Sequence, residues 1–330
     1  MQVKLCKIPI QLNTVTPAIQ SDWNDIFVLH KLQKGTDQPK IFITAYPIDL
    51  APPINENDIT STFKSPNGSY SLASTADGRS MLTLASGAII CLPNLNQPFD
   101  LAKPISAEMF VSQEIIEKGQ IEDVTFTLLA PLLRRFGIFI VHAFGAVHPT
   151  KPIAALIIGR SGQGKTTTGL ALIKEGWRFL GNDAILLSKN DHNQIIAWPS
   201  PGKINLHPYS LTILGNSAFF PSDLKIGSDG KYHFPAETLV HQPTPHTFVN
   251  FQLFPQISNR QGACQFKKMS NTIALSRTME QSVDHWDSQT LTQHFVFLEQ
   301  LVSQAQSFQV TNTITLANYG EQLMAHSKAK

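Results

Sequence analysis

The sequence predicts an α/β protein in which a β-rich segment, residues 1–120, precedes an α/β domain, residues 121–330. An unbroken apolar run, Ile153 to Ile158, leads into a glycine-rich loop and then a helix-forming stretch that stops at Gly176. Before residue 120, short runs of strand composition alternate with turn signals such as Asn67-Gly68 and Asp77-Gly78. From Ile121 the apolar residues change to helical spacing, with Ile121, Val124, Leu128, Leu132 and Phe136 on one face.

Composition limits the function classes. Hydrophobic residues make up 42% and charged residues 15% of 330, enough for a large core and against wholesale disorder. The net charge is +2 without a dense Lys/Arg cluster, which argues against nucleic acid as the main partner. Cys6, Cys91 and Cys264 are widely spaced and in no metal-ligand pattern, as in a reducing compartment. The N-terminus has no apolar signal-peptide core, and no run approaches the ~18 residues that span a bilayer. The expectation is a cytoplasmic protein with no membrane partner, leaving room for a homo-oligomer.

Along the chain, Phe27–Leu29, Ile41–Tyr46, Met81–Leu84 and Ala88–Leu92 read as strands, and 47–60 as a proline-rich loop. Pro131 falls inside the helical pattern, which predicts a kink or a break into two short helices. Ile138–Val141 is a strand ending at His142. After the loop and its helix, Trp177–Leu180 is a strand that delivers Gly181-Asn182-Asp183, and 184–198 reads as a hairpin. Lys203–Leu206 is extended, 207–245 looks like a long loop, and Phe248–Phe254 is a strand. Leu291, Phe295, Leu298 and Val302 mark a late helix, and Thr313–Leu316 a final strand.

The loop fits G-x-x-x-x-G-K-[ST]: Gly159, Arg160, Ser161, Gly162, Gln163, Gly164, Lys165 and Thr166, with Thr167 next. Its glycines let successive N–H groups turn inward toward phosphate oxygens, and the following helix adds its positive end. Lys165 can reach the β- and γ-phosphates of ATP, and the Thr166 hydroxyl can join a Mg²⁺ shell. Arg160 could face phosphate or water. Asp183 lies eighteen residues after Lys165, at the end of a predicted strand beside the loop. There it could hold Mg²⁺ through water or take the proton of an incoming hydroxyl. His142, at the end of the preceding strand, could contact the γ-phosphate or tune that base.

Three stretches, His142–Val147, Gly159–Thr166 and Leu172–Asp183, together resemble the catalytic core of the HPr kinase/phosphorylase family. The likeness covers roughly 142–206 and extends weakly to the C-terminus through Phe251–Pro255; residues 1–120 match nothing in it. It implies a P-loop kinase core of HPr-kinase type with a mixed sheet. It also implies Lys165, Asp183 and His142 as catalytic residues, and Thr166 and Asp183 at the metal. The implied reaction is γ-phosphoryl transfer from ATP to a serine-type hydroxyl of a peptide, protein or small molecule. The family's paired acids are here Asn182-Asp183, and its glutamate-bearing glycine-rich signature has no counterpart around 200–210. Those departures favour a one-way kinase or, alternatively, a catalytically degenerate ATP-binding regulatory or partner-binding subunit. Ser188-Lys189-Asn190-Asp191 faintly matches a guanine-reading motif but comes too soon after Lys165 to reach a base.

Overall fold

The computed structural model describes residues 1–33, 37–52, 56–65, 68–215, 220–221, 224–227, 230–240, 244–257, 264–282, 284, 286–312 and 318–327. The expected strand at Thr313–Leu316 lies outside them. The chain forms two compact units: Met1–Ile138 with Asp284–Thr292, and Phe139–Val283 with Gln293–Lys330. Among the described residues no helix is long and apolar enough to cross a membrane.

The first unit holds β1 (Gln2–Leu5), β2 (Ile8–Thr14), α1 (Pro17–Ile26), β3 (Ile41–Pro47), β4 (Ile59–Lys64) and β5 (Tyr70–Thr75). It continues with β6 (Arg79–Leu84), β7 (Ile89–Pro93), β8 (Ile105–Val111), α2 (Gln113–Glu117) and α3 (Ile121–Arg135). Its sheet runs β1-β2-β3-β8-β7-β6-β5-β4, with β2, β3 and β8 parallel and the rest antiparallel. Alternation sets the buried face: Ile41, Ile43 and Ala45 point inward while Phe42 and Thr44 do not. Phe27–Leu29 is not the expected strand. Phe27 caps α1 with its N–H on the Trp23 carbonyl, and Val28–His30 form a single 3₁₀ turn.

Two expectations about residues 121–136 change. The helix is continuous through Pro131. A proline inside a helix costs about 3 kcal/mol, but Val124, Leu128, Leu129, Leu132 and Leu133 are all buried, each contributing roughly 1.5–3 kcal/mol. The burial wins. The same packing, against α1 and β8, places the helix in the first unit, so the division falls at 138 rather than 120. The Trp23 indole N–H donates to Thr125 Oγ1 at 3.0 Å within that contact. Arg134 and Arg135 on α3 also hold Asp284 and Asp287, which brings a distant segment into the unit.

The second unit contains β9 (Ile138–Val141), β10 (Ala143–Val147), β11 (Ala154–Ile158), α4 (Lys165–Lys174), β12 (Arg178–Gly181), β13 (Ile185–Lys189) and β14 (Ile195–Trp198). Then come β15 (Lys203–Leu206), α5 (Pro208–Leu214), β16 (Tyr232–Pro235), β17 (Thr247–Ile257), β18 (Gln265–Lys268), α6 (Asn271–Met279), α7 (Ser288–Gln304, of which the residues up to Thr292 belong to the first unit), β19 (Gln306–Asn312) and α8 (Tyr319–Ser327). The large sheet is mixed. Along one path it runs β12-β10-β11-β17, and β19 pairs parallel with β17. Because β10 is antiparallel to both neighbours, β12 runs the same way as β11, and β17 is parallel to β11. The carboxyl ends of β12, β11, β17 and β19 therefore share one edge.

Helices cover both faces. Leu170 and Leu172 of α4, Leu214 of α5 and Leu323 of α8 pack on one side with Ala155 and Ile157. Ala274 of α6 and Leu298, Leu301 and Val302 of α7 pack on the other with Leu156 and Ile158. This two-sided burial explains why β11 reads as a continuous apolar run. The stretch 207–245 is not simply a loop: Pro208 starts α5, His207 accepts the Tyr209 N–H, and β16 pairs with β15. The hairpin at 184–198 forms as β13 and β14, and its tip at Asn190 is held by the asparagine's own side chain.

Candidate functional site

The site grows from the junction of β11 and α4. Gly162 and Gly164 sit at φ 81° and 91°, the left-handed region that side chains resist, and they turn the chain back into α4. The helix then lies close on β10, because a Cβ at Gly169 would stand 2.1 Å from the Phe144 ring. The result is a strand, a tight loop and a helix N-terminus whose amides can cradle an anion. The loop is partly self-occupied: Gln163 Oε1 accepts the Arg160 N–H at 2.8 Å. The Arg160 side chain turns outward to Glu280 at 2.9 Å, an exposed pair worth about 1 kcal/mol at most.

Lys165 is buried, and its Nζ donates to the Arg160 carbonyl at 3.4 Å. Burial pulls its ammonium below the usual lysine range; Asp183 opposes that and Lys231 adds to it. The Thr166 hydroxyl donates to Asn182 Oδ1 at 3.4 Å, a long bond that leaves the hydroxyl available. Thr167 pairs instead with Ser210 Oγ of α5 at 2.7 Å, so its hydroxyl braces the helix rather than the loop.

Asp183 follows β12, one strand further from the loop than expected, since β10 lies between β12 and β11. Its own backbone is at φ 62°, an uncommon conformation for a residue with a side chain and one found often at functional sites. Asp183 Oδ2 accepts from Asn182 Nδ2 at 2.9 Å and from Asn205 Nδ2 at 3.0 Å. Among the described residues Oδ1 takes no hydrogen bond, and it stands 4.0 Å from His142 Nε2. Asn182 is buried and also donates to the Lys203 carbonyl at 2.9 Å. An acid at 182 could not make either donation, so the amide suits this arrangement chemically.

His142 Nδ1 lies 2.8 Å from the Asp183 carbonyl, an acceptor only, so that nitrogen carries the hydrogen and Nε2 keeps its lone pair. Burial first, and then the Lys165 charge, lower the His142 pKa below its ordinary 6.5, against the pull of Asp183. His142, Lys165, Thr166 and Asp183, singled out separately in the sequence, thus come together around one loop. Sequence reading missed Asn205 and His233. His233 Nδ1 sits 2.7 Å from Asn205 Oδ1, so the antiparallel β15–β16 pair sends a polar chain to the Asp183 carboxylate.

No protein-family model matches the chain, and no curated protein matches it. The chain is weakly similar to a solved structure. That structure is described as the HPr(Ser) kinase/phosphatase from Coxiella burnetii, 13% identical, with 56% of this chain and 98% of that chain covered and a TM-score of 0.27. A superposition that loose carries no weight for the site, which is read from its own distances. Among the described residues there is no group of three or more His, Cys, Asp or Glu side chains that could hold a metal.

Proposed function

We propose that the second unit is a P-loop kinase core of HPr-kinase type, with the β-rich segment as an accessory. In this reading it transfers the γ-phosphoryl of ATP to a serine-type hydroxyl of a peptide, protein or small molecule. One observation carries it: a carboxylate with one open oxygen, Asp183 Oδ1, beside a neutral imidazole, His142, at the flank of the glycine-rich loop. Phosphoryl transfer asks mainly for positioning and charge neutralisation, with one group to take the acceptor's proton.

In this reading the loop amides and Lys165 hold the β- and γ-phosphates, and Gln163 Oε1 gives up the Arg160 N–H when they arrive. Thr166 would hold a magnesium ion through its weakly engaged hydroxyl and Asp183 through an intervening water, which leaves Oδ1 open for the acceptor's proton. Magnesium would supply charge neutralisation for the transferring phosphoryl group. Asp183 accepts the hydroxyl proton, held in place by Asn182 and Asn205.

The direct test is calorimetric titration with Mg-ATP together with radiolabelled γ-phosphoryl transfer to serine peptides. Wild-type protein should bind and transfer, and Lys165→Ala should lose at least about tenfold in affinity, as a charge-assisted contact implies. Unchanged affinity in Lys165→Ala would remove the phosphate site. Asn182 favours a second reading, a nucleotide-binding subunit without chemistry, because it halves the family's acid pair. Clear turnover of ATP to a phosphorylated product would end that second reading.

The pH profile follows from His142. Its folded pKa is lowered, so the native protein binds fewer protons than the unfolded chain. The stability this contributes is present above the ordinary 6.5 and is lost as pH falls through the lowered value. Transfer should lose rate over the same range, as a second cation forms beside Lys165. His142→Gln should erase that acid limb from the pH–rate profile; an identical limb in the variant would acquit the histidine.

A further inference from the structure

Two amides hold the Asp183 carboxylate, and each must be turned the right way round. Asn182 and Asn205 both present Nδ2 to Asp183 Oδ2, at 2.9 and 3.0 Å. An amide turned over would set its own oxygen against a carboxylate oxygen, acceptor on acceptor, and the grip would be lost. Asn182 is fixed twice more: its Nδ2 donates to the Lys203 carbonyl at 2.9 Å, and its Oδ1 accepts from the Thr166 hydroxyl at 3.4 Å. It is also fully buried. Asn205, on β15, is only half-buried. Among the described residues its Oδ1 has one partner, His233 Nδ1 at 2.7 Å.

Strand pairing makes that contact. β15 and β16 run antiparallel with Asn205 directly opposite His233, so the two side chains share one face of the pair. Because Asn205 Oδ1 can only accept, His233 Nδ1 must carry the hydrogen. Free histidine in water favours hydrogen on Nε2, so the other tautomer marks the contact. Resting on the kinase reading above, we propose that His233 is a positioning residue for the base. It locks the Asn205 amide with Nδ2 toward Asp183, and the locked amide keeps the carboxylate turned with Oδ1 open to the acceptor. Without the Nδ1 donor the amide gains a second orientation, one that repels Oδ2 and lets the carboxylate swing. His233 itself is exposed, so its replacement leaves the core intact.

Two full-length variants isolate the donor. His233→Phe keeps a planar ring and removes it; His233→Asn places an amide N–H as many bonds from the backbone as Nδ1 and restores it. Single-turnover transfer to a serine peptide at saturating Mg-ATP should fall about tenfold in His233→Phe, the size of one hydrogen bond, with ATP affinity unchanged. His233→Asn should recover most of that loss, which a merely structural role for the ring would not allow. Side-chain nitrogen NMR of the wild type should show Nδ1–H on His233, shifting toward Nε2–H in Asn205→Ala. Transfer within about twofold of wild type in His233→Phe would overturn the proposal. So would an equal loss in both variants, or a fall in ATP affinity that accounts for the loss of rate. Nε2–H on His233 in a wild type that transfers would overturn the lock and leave the base in place. A wild type that transfers nothing would instead remove the kinase reading, and with it the task the lock serves.

Discussion

Asp183→Asn is expected to lower phosphoryl transfer by about 10²–10⁴-fold, the usual contribution of a positioned general base. ATP affinity should move only a few-fold. The reason lies in which oxygen is used. The amide oxygen of the new side chain can still accept from Asn182 and Asn205, as Oδ2 does now at 2.9 and 3.0 Å. Shape and placement therefore survive. The group facing His142, however, changes from an acceptor oxygen to an NH₂ with no lone pair for an incoming proton. Single-turnover assays at saturating Mg-ATP isolate the transfer step from binding. Transfer within about threefold of wild type would dismiss Asp183 as the base. A large loss of ATP affinity with transfer per bound ATP unchanged would make it a ligand-holding residue instead.

What the sequence reveals of this site is what the chain makes locally. The glycine loop is legible because its turn needs left-handed positions that Gly162 and Gly164 provide within a few residues. The strand before it is legible because burial on both faces leaves an uninterrupted apolar run. Asp183 is legible by its distance from Lys165, although the intervening β10 is not, since strand order follows from pairings far apart in sequence. Asn205 and His233 stay hidden for that reason: twenty-two residues separate Asn205 from the carboxylate it holds, and His233 depends on the β15–β16 pairing. Pro131 misleads because local helix chemistry opposes it while tertiary burial keeps the helix whole. The unit boundary misleads likewise, set by partners of α3 that include Asp284 and Asp287, about 150 residues further on.

Those partners carry the largest expected stability effect in the molecule. Asp287→Ala should destabilise the first unit by about 3–5 kcal/mol, the cost of removing one member of a buried ion pair. Asp287 is 0% exposed on its side chain, against 2% for Arg134 and 6% for Arg135. Arg135 forms a forked pair with it at 2.7 and 3.0 Å, and Thr290 donates to it at 2.6 Å. Without the carboxylate, Arg134 retains Asp284, and Arg135 keeps the Pro131 and Leu95 carbonyls and the Phe99 ring. None of these can neutralise the charge on Arg135, so a buried guanidinium is left uncompensated. For a unit of this size the loss corresponds to a fall in melting temperature of roughly 10 °C or more. Asp287→Asn should fall between wild type and alanine, because it keeps an acceptor for one N–H but no charge. Equal stabilities for asparagine and wild type would assign the effect to hydrogen bonding alone. A loss under about 1 kcal/mol for alanine would mean that these arginines are hydrated and that the pair behaves as a surface one.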